Sequence, residues 1–116
     1  MIKEILAAIK TATGIMPVPF ALDKIANGIV YSYYTTADDG AVSKRRLELN
    51  LVTLTLADAD KYKDKIIGAL VTEGDEEKIG GIYRCAVNGG GQLKNFETGT
   101  IHTMIYFDIT EKGSGN

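Results

Sequence analysis

The residues of this 116-residue chain whose types best suit chemistry are three consecutive glycines, Gly89, Gly90 and Gly91, with one cysteine, Cys85, and one histidine, His102. A glycine run suggests a phosphate loop, but such loops open onto a helix whose free amides hold the anion. Here the glycines follow one strand pattern and lead towards another, and no Gly-Lys-Ser or Gly-Lys-Thr triplet occurs. A flexible turn between strands is the expectation. Cys85 and His102 could form a nucleophile–base pair if their strands were neighbours. Cys85 shares its period-two phase with Tyr83 and Val87, however, which marks a small buried side chain. A single histidine cannot build a metal site without thiolates or carboxylates at ligand spacing. The acids Glu73, Asp75, Glu76 and Glu77 form a run without the regular spacing of a calcium loop, so they read as a solvated segment. No catalytic residue, cofactor or metal is expected.

Two further groups could bind a partner. Tyr31 and Tyr33 share one face of a strand, with Tyr34 beside them, and strand aromatics can stack nucleobases, fill a core or line a subunit interface. Lys44-Arg45-Arg46 is the only candidate basic patch. A formal net charge of −2 gives no general attraction for phosphate backbones, so nucleic acid is not expected.

The elements that position these residues follow from composition and pattern. Apolar residues at 45% and charged residues at 24% describe an ordinary globular domain. With one cysteine no internal disulfide can form. The opening MIKEILAAIK places Ile2, Ile5, Leu6 and Ile9 at helical spacing rather than in a continuous apolar run. It predicts neither a signal peptide nor a membrane span, and implies a protein held in the cytoplasm until assembly. A helix is predicted over 2–13, ending at Gly14. The two prolines, Pro17 and Pro19, impose an extended segment after it. Residues 28–36, GIVYSYYTT, read as a strand, and Asp38-Asp39-Gly40 as a turn. Residues 37–44 form a hairpin tip or a mobile loop. A second strand of about 12 residues completes a long antiparallel hairpin over 28–56.

A second helix follows, capped by Asp58 or Asp60, with Ala59, Tyr62, Ile66, Ala69 and Leu70 on its inner face. A strand over 79–87, a long loop over 88–99 and a final strand complete the order. In the last strand Ile101, Thr103, Ile105, Phe107 and Ile109 face one way, and His102, Met104, Tyr106 and Asp108 the other. The fold class is α+β with a mostly antiparallel sheet in the order α-β-β-α-β-β, one domain over 1–111 and a flexible tail over 112–116.

The most informative irregularity lies in residues 45–71. Apolar residues stand at Leu47, Leu49 and Leu51, then change parity to Val52, Leu54 and Leu56. A one-residue slip reverses the faces of a strand, so a bulge or bend is predicted near 51–52, with residues 47–51 and 52–56 pointing to opposite sides. One half would lie under the helices and the other against a second layer or a neighbouring subunit.

Four stretches together resemble the tail-terminator or tail-completion proteins of long-tailed bacteriophages and prophages. They are IKEILAAIKTATGIMPVPF, GIVYSYY, RRLELNLVTLTLADADKYKDKIIGAL and GGGQLKNFETGTIHTMIYFDITEK, which span nearly the whole chain. The resemblance implies a non-enzymatic, ring-forming virion protein, typically a hexamer, that caps the tail tube and joins tail to head. Its partners would be other copies, tail-tube proteins and head-connector proteins, and its place the tail or neck of a virion assembled in the host cytoplasm. Asp38, Asp39, Gly40, Lys44, Arg45, Arg46, Gly89, Gly90, Gly91, Lys94 and Glu97 are the interface residues expected on that reading. Another head–tail connector, a minor tail protein or a small nucleic-acid-binding module would be the alternative.

Overall fold

A computed structural model describes residues 2–19, 27–74 and 76–113. Helix α1 (Ile2–Thr13) buries Ile5 and Ile9. It ends at Gly14, whose positive φ of 79° turns the chain while its amide donates to the Lys10 carbonyl at 2.7 Å. The Pro17–Pro19 segment contributes a two-residue strand, β1 (Val18–Pro19), which pairs in parallel with the next strand. Strands β2 (Gly28–Asp38) and β3 (Val42–Thr53) form the expected hairpin, and helix α2 (Leu56–Leu70) follows. Strands β4 (Ile82–Asn95) and β5 (Thr100–Lys112) form a second hairpin. The five strands lie in the order β1-β2-β3-β5-β4. The architecture is thus the expected α+β fold with a mostly antiparallel sheet, plus the short β1.

Both helices cover one face of this sheet. Ile5 and Ile9 of α1 and Ile66 and Leu70 of α2 share a core with Leu47, Leu49, Leu51, Ile105, Phe107 and Ile109. Alternation then sends the even-numbered residues of β3 and β5, from Lys44 to Asn50 and from His102 to Lys112, to the opposite face, uncovered among the described residues. The final strand follows the predicted alternation, and α2 buries the predicted Ala59, Ile66 and Leu70.

Several expectations are corrected. Strand β3 contains no bulge at 51–52: its register with β5 is unbroken from Val42 to Thr53. Val52 does point opposite to Leu51, but Leu54 lies beyond the strand and Leu56 opens α2. The apparent parity change therefore records a strand ending and a helix beginning. The inference that half of β3 needs a neighbour falls with it. Neither Asp58 nor Asp60 caps α2. Thr55 does, its hydroxyl accepting the Asp58 amide at 3.1 Å.

Residues 88–95 are not a loop but the outer half of β4, and the turn is confined to 96–99. Bulges between Ile82 and Arg84 and between Val87 and Gly90 shift the β4 phase. The first bulge parts Tyr83 from Cys85, which lies inside, whereas Val87 keeps the phase of Cys85, opposite Phe107, but lies nearer the sheet edge and is 45% exposed. Residues 37–44 are the hairpin tip of the two alternatives, mostly strand around a tight turn. Lys112 belongs to β5, and Gly113 donates to the Ala41 carbonyl at 3.0 Å, so the proposed tail begins no earlier than 114, outside the described residues.

The second bulge explains two of the three consecutive glycines. Gly90 has a φ of 147°, and a Cβ there would sit 2.3 Å from the Met104 carbonyl oxygen. Gly89 has a φ of 103° and faces the Tyr106 ring. At Gly91 φ is ordinary and a Cβ would meet nothing within 4 Å. Gly90→Ala should therefore lower unfolding stability by about 2 kcal/mol or more, whereas Gly91→Ala should change it by about 0.5 kcal/mol or less, as read from urea denaturation midpoints.

Candidate interaction surface

The expected interface residues are spread along the strands: Asp38 to Arg46 towards one end, Lys94 and Glu97 at the other, and Gly89 to Gly91 in the middle of β4. Pairing places Val42 beside Lys112 and Thr53 beside Ile101. The β2–β3 turn therefore lies at the C-terminal end of β5, and the β4–β5 turn at its N-terminal end. The molecule is correspondingly long, 47 Å against 24 and 22 Å across.

At the first tip, Asp39 closes the turn: its carboxylate Oδ1 accepts the amides of Ala41 (3.0 Å) and Val42 (2.7 Å). Asp38 Oδ1 accepts the Gly40 amide at 2.8 Å. These local bonds explain why aspartates occupy a two-residue reversal. Gly113 passes so close that a Cβ on it would lie 2.4 Å from the Gly40 carbonyl oxygen, which locks the end of β5 against the tip.

Lys44-Arg45-Arg46 does not form one basic patch, because strand alternation splits it. Lys44 and Arg46 occupy the uncovered face, while Arg45 points to the helix side and pairs with the buried Glu111 carboxylate. Glu111 also accepts the Tyr33 hydroxyl at 3.1 Å, and the Arg45 guanidinium lies 5.5 Å from the centre of that ring. Next to this cluster, the buried Ser43 hydroxyl has no hydrogen-bond partner among the described residues. Tyr31 and Tyr33 pack against the core, so neither presents a stacking platform for bases. Tyr34 points the other way and is 44% exposed.

The uncovered face carries a connected set of polar contacts. Arg46 stacks 5.0 Å from the Tyr106 ring centre, donates to Glu48 at 3.1 Å and lies 3.9 Å from Asp108. Asn88 donates to Asp108 at 2.6 Å. His102 lies between Asn50 Nδ2, 3.3 Å from its Nδ1, and Thr100 Oγ1, 3.1 Å from its Nε2. Beside this set is an open hollow of about 510 Å³, bordered by Pro19, Val30, Glu48, Asn50, Met104 and Tyr106.

At the second tip, Asn95 Oδ1 accepts the Glu97 amide at 3.0 Å, and Lys94 reaches to 5.7 Å from the ring centre of Phe96. Phe96 is 87% exposed, the barest large apolar side chain described. Its place in NFETG, within what reads as a loop, gave no phase by which to foresee it. Glu111 could have been foreseen, since it continues the odd-numbered inward phase of Ile105, Phe107 and Ile109. So could the Thr55 cap, since Thr-x-x-Asp ahead of an apolar helix is a start signal.

Cys85 and His102 do not meet. Cys85 pairs with Ile109 on the covered face, and His102 pairs with Leu93 on the uncovered one. No group of three metal-binding side chains forms among the described residues. No described helix is long and apolar enough to cross a membrane. Burial pushes the Cys85 thiol up to about 12, with Asp108 adding to the shift and Lys78 opposing it. Tyr33 is also pushed well above its ordinary 10.0, by burial first and then by Glu111.

Both shifts keep the folded state protonated where the unfolded chain has lost the proton. The stabilisation is whole below the ordinary values and drains away as pH rises through the raised ones. Stability should therefore be flat up to about pH 9 and then fall. Cys85 contributes at most about 1.4 kcal/mol per pH unit and the half-buried Tyr33 a smaller share, measurable by denaturation at pH 8, 9 and 10. The folded protein should also leave a thiol reagent unreacted at pH 8.

The sequence matches no protein-family model and no curated protein. The fold does have a counterpart. A chain in the structure of the virion of a native gene transfer agent particle is similar over 94% of this chain and 84% of that one, with a TM-score of 0.60 and 12% sequence identity. This protein therefore shares its fold with a chain of that particle.

Proposed function

We propose that this protein is a structural component of a phage-like virion, a tail terminator or tail-completion protein. Copies would form a ring at the head-proximal end of the tail tube, stop its growth and present the surface to which the head joins. The fold shared with a chain of a gene transfer agent virion over 94% of this sequence carries the reading. The geometry supports it in two ways. Among the described residues one face of the sheet has no layer over it, which suits a subunit finished by its neighbours. Its two hairpin tips also lie at opposite ends of a 47 Å body. In a ring whose axis runs along the strands, the Asp38–Gly40 tip and the Phe96 tip would face opposite neighbours, one the tube and the other the head connector.

The tip residues act by contact rather than by chemistry. The Asp39-capped turn is rigid, so it binds without an ordering penalty. The exposed Phe96 ring offers an apolar anchor of the kind that dominates protein interfaces. The purified protein should show, by light scattering at about 100 µM, a mass that is a fixed multiple of 12.5 kDa, six-fold on the terminator reading. A 12.5 kDa monomer alone, unchanged on adding tail tubes, would overturn the reading.

A further inference from the structure

Among the described residues the sheet has two edges that no further strand covers along most of their length. Among the described residues, β4 pairs only with β5, and β2 is paired on its outer side only at Val30 and Tyr31, by β1. Ser32–Ala37 of β2 and Val87–Asn95 of β4 thus expose ladder groups on opposite sides of the same molecule. Nearer its start β4 is shielded, since Thr72 exchanges hydrogen bonds with Cys85 through its amide and its hydroxyl. The β2 edge, Ser-Tyr-Tyr-Thr-Thr-Ala, carries none of the lysines or prolines that usually guard an unpaired strand.

We infer that these edges bind each other between copies, the β2 edge of one molecule pairing antiparallel with the β4 edge of the next and placing Tyr34 beside Gly91. The inference rests on the ring reading above and names the surface that would close it. Three observations converge on it.

The first is direction. Each strand in the order β2-β3-β5-β4 runs antiparallel to its neighbour, so β2 and β4 run in opposite senses. In a cyclic ring every copy points the same way along the axis, and edge-to-edge contact is then antiparallel without any further rotation.

The second is stagger. Tyr34 lies level with Arg46 and Asp108, whereas Gly91 lies level with Met104. The two sites are offset by four residues of β5, about 13 Å along the strands. Four strands per copy span roughly 19 Å across. Joining them on a level circle tilts the strands by about 35°, within the range that closed sheets adopt.

The third is fit. A Cβ at Gly91 would meet nothing within 4 Å among the described residues and its φ is ordinary, and strand glycines mark close approach by another group. Tyr34 and Gly91 both belong to the uncovered face, so in this register the exposed tyrosine ring covers the bare glycine, while Ser32 meets the exposed Leu93.

Disulfide trapping tests the pairing. In a chain carrying Tyr34→Cys and Gly91→Cys, the two thiols lie on opposite edges and cannot join within one molecule. Mild oxidation should give a ladder of linked copies on non-reducing gels, ending at the ring mass, while each single variant stays unlinked. Single variants that form dimers as readily as the double would indicate two-fold edge pairing and overturn the inference.

Gly91→Val provides a second readout. A side chain there meets nothing in its own subunit, so the fold and denaturation midpoint should hold while association weakens at least 10-fold. Unchanged association would overturn the inference. If the parent forms the fixed-mass oligomer yet neither test responds, the edges are wrong and the ring stands. If the parent stays monomeric with tail tubes present, both readings fail.

Discussion

The unbroken ladder between β3 and β5 is the constraint on which the rest of the molecule depends. Twelve consecutive partners, from Val42–Lys112 to Thr53–Ile101, hold the two central strands in one register. Because side chains alternate, that register decides at once which residues meet the helices and which do not. Leu47, Leu49 and Leu51 meet Phe107, Ile105 and Thr103 under α1 and α2. Arg46, Glu48, Tyr106 and Asp108 are sent to the other face, where they satisfy one another. A single-residue slip would place these charges beneath the helices, where an unpaired ion costs several kcal/mol. Irregularity is displaced outwards: the register shifts fall in β4 and in β2 near its tip, never between the central strands.

The Arg45–Glu111–Tyr33 group, built on the buried Glu111 carboxylate, ties that ladder to the hairpin tip. An ion pair with little solvent around it contributes modest net stability, but losing one partner strands the other charge. It therefore specifies position more than it strengthens the fold. With Gly113 passing against Gly40, it holds the tip and the end of β5 as one rigid unit. Among the described residues the far tip has no comparable buried ion pair, and it is there that Phe96 stands bare. A subunit with one locked end and one exposed aromatic end is suited to two different contacts along a single axis.

Much of this was legible in the sequence, and the failures have physical causes. The final strand could be read residue by residue because one face is fully covered, which writes strict alternation into Ile101 to Ile109. Helix α1, its Gly14 stop and the inner face of α2 were readable for the same reason. Strand β4 was not. Its bulges break the period, and its glycines resemble a loop although their backbone continues a ladder, with two of them needed for the bulge itself. The Leu51–Val52 parity change misled because apolar residues continued across the boundary between a strand and a helix. Among the expected interface residues, the pairing of Arg45 could not be read because its buried partner Glu111 lies 66 residues away in sequence, beyond the reach of any local pattern.

Hydrogen exchange, followed residue by residue as the protein concentration is raised, tests the central claim most directly. That claim is that a sheet complete at its centre, with two edges unpaired among the described residues, is completed by its own copies. Amides of β3 and β5 should be protected at every concentration, and those of Ser32–Ala37 and Val87–Asn95 should slow together as copies associate. Edges that keep exchanging as fast in the oligomer as in the dilute protein would contradict it.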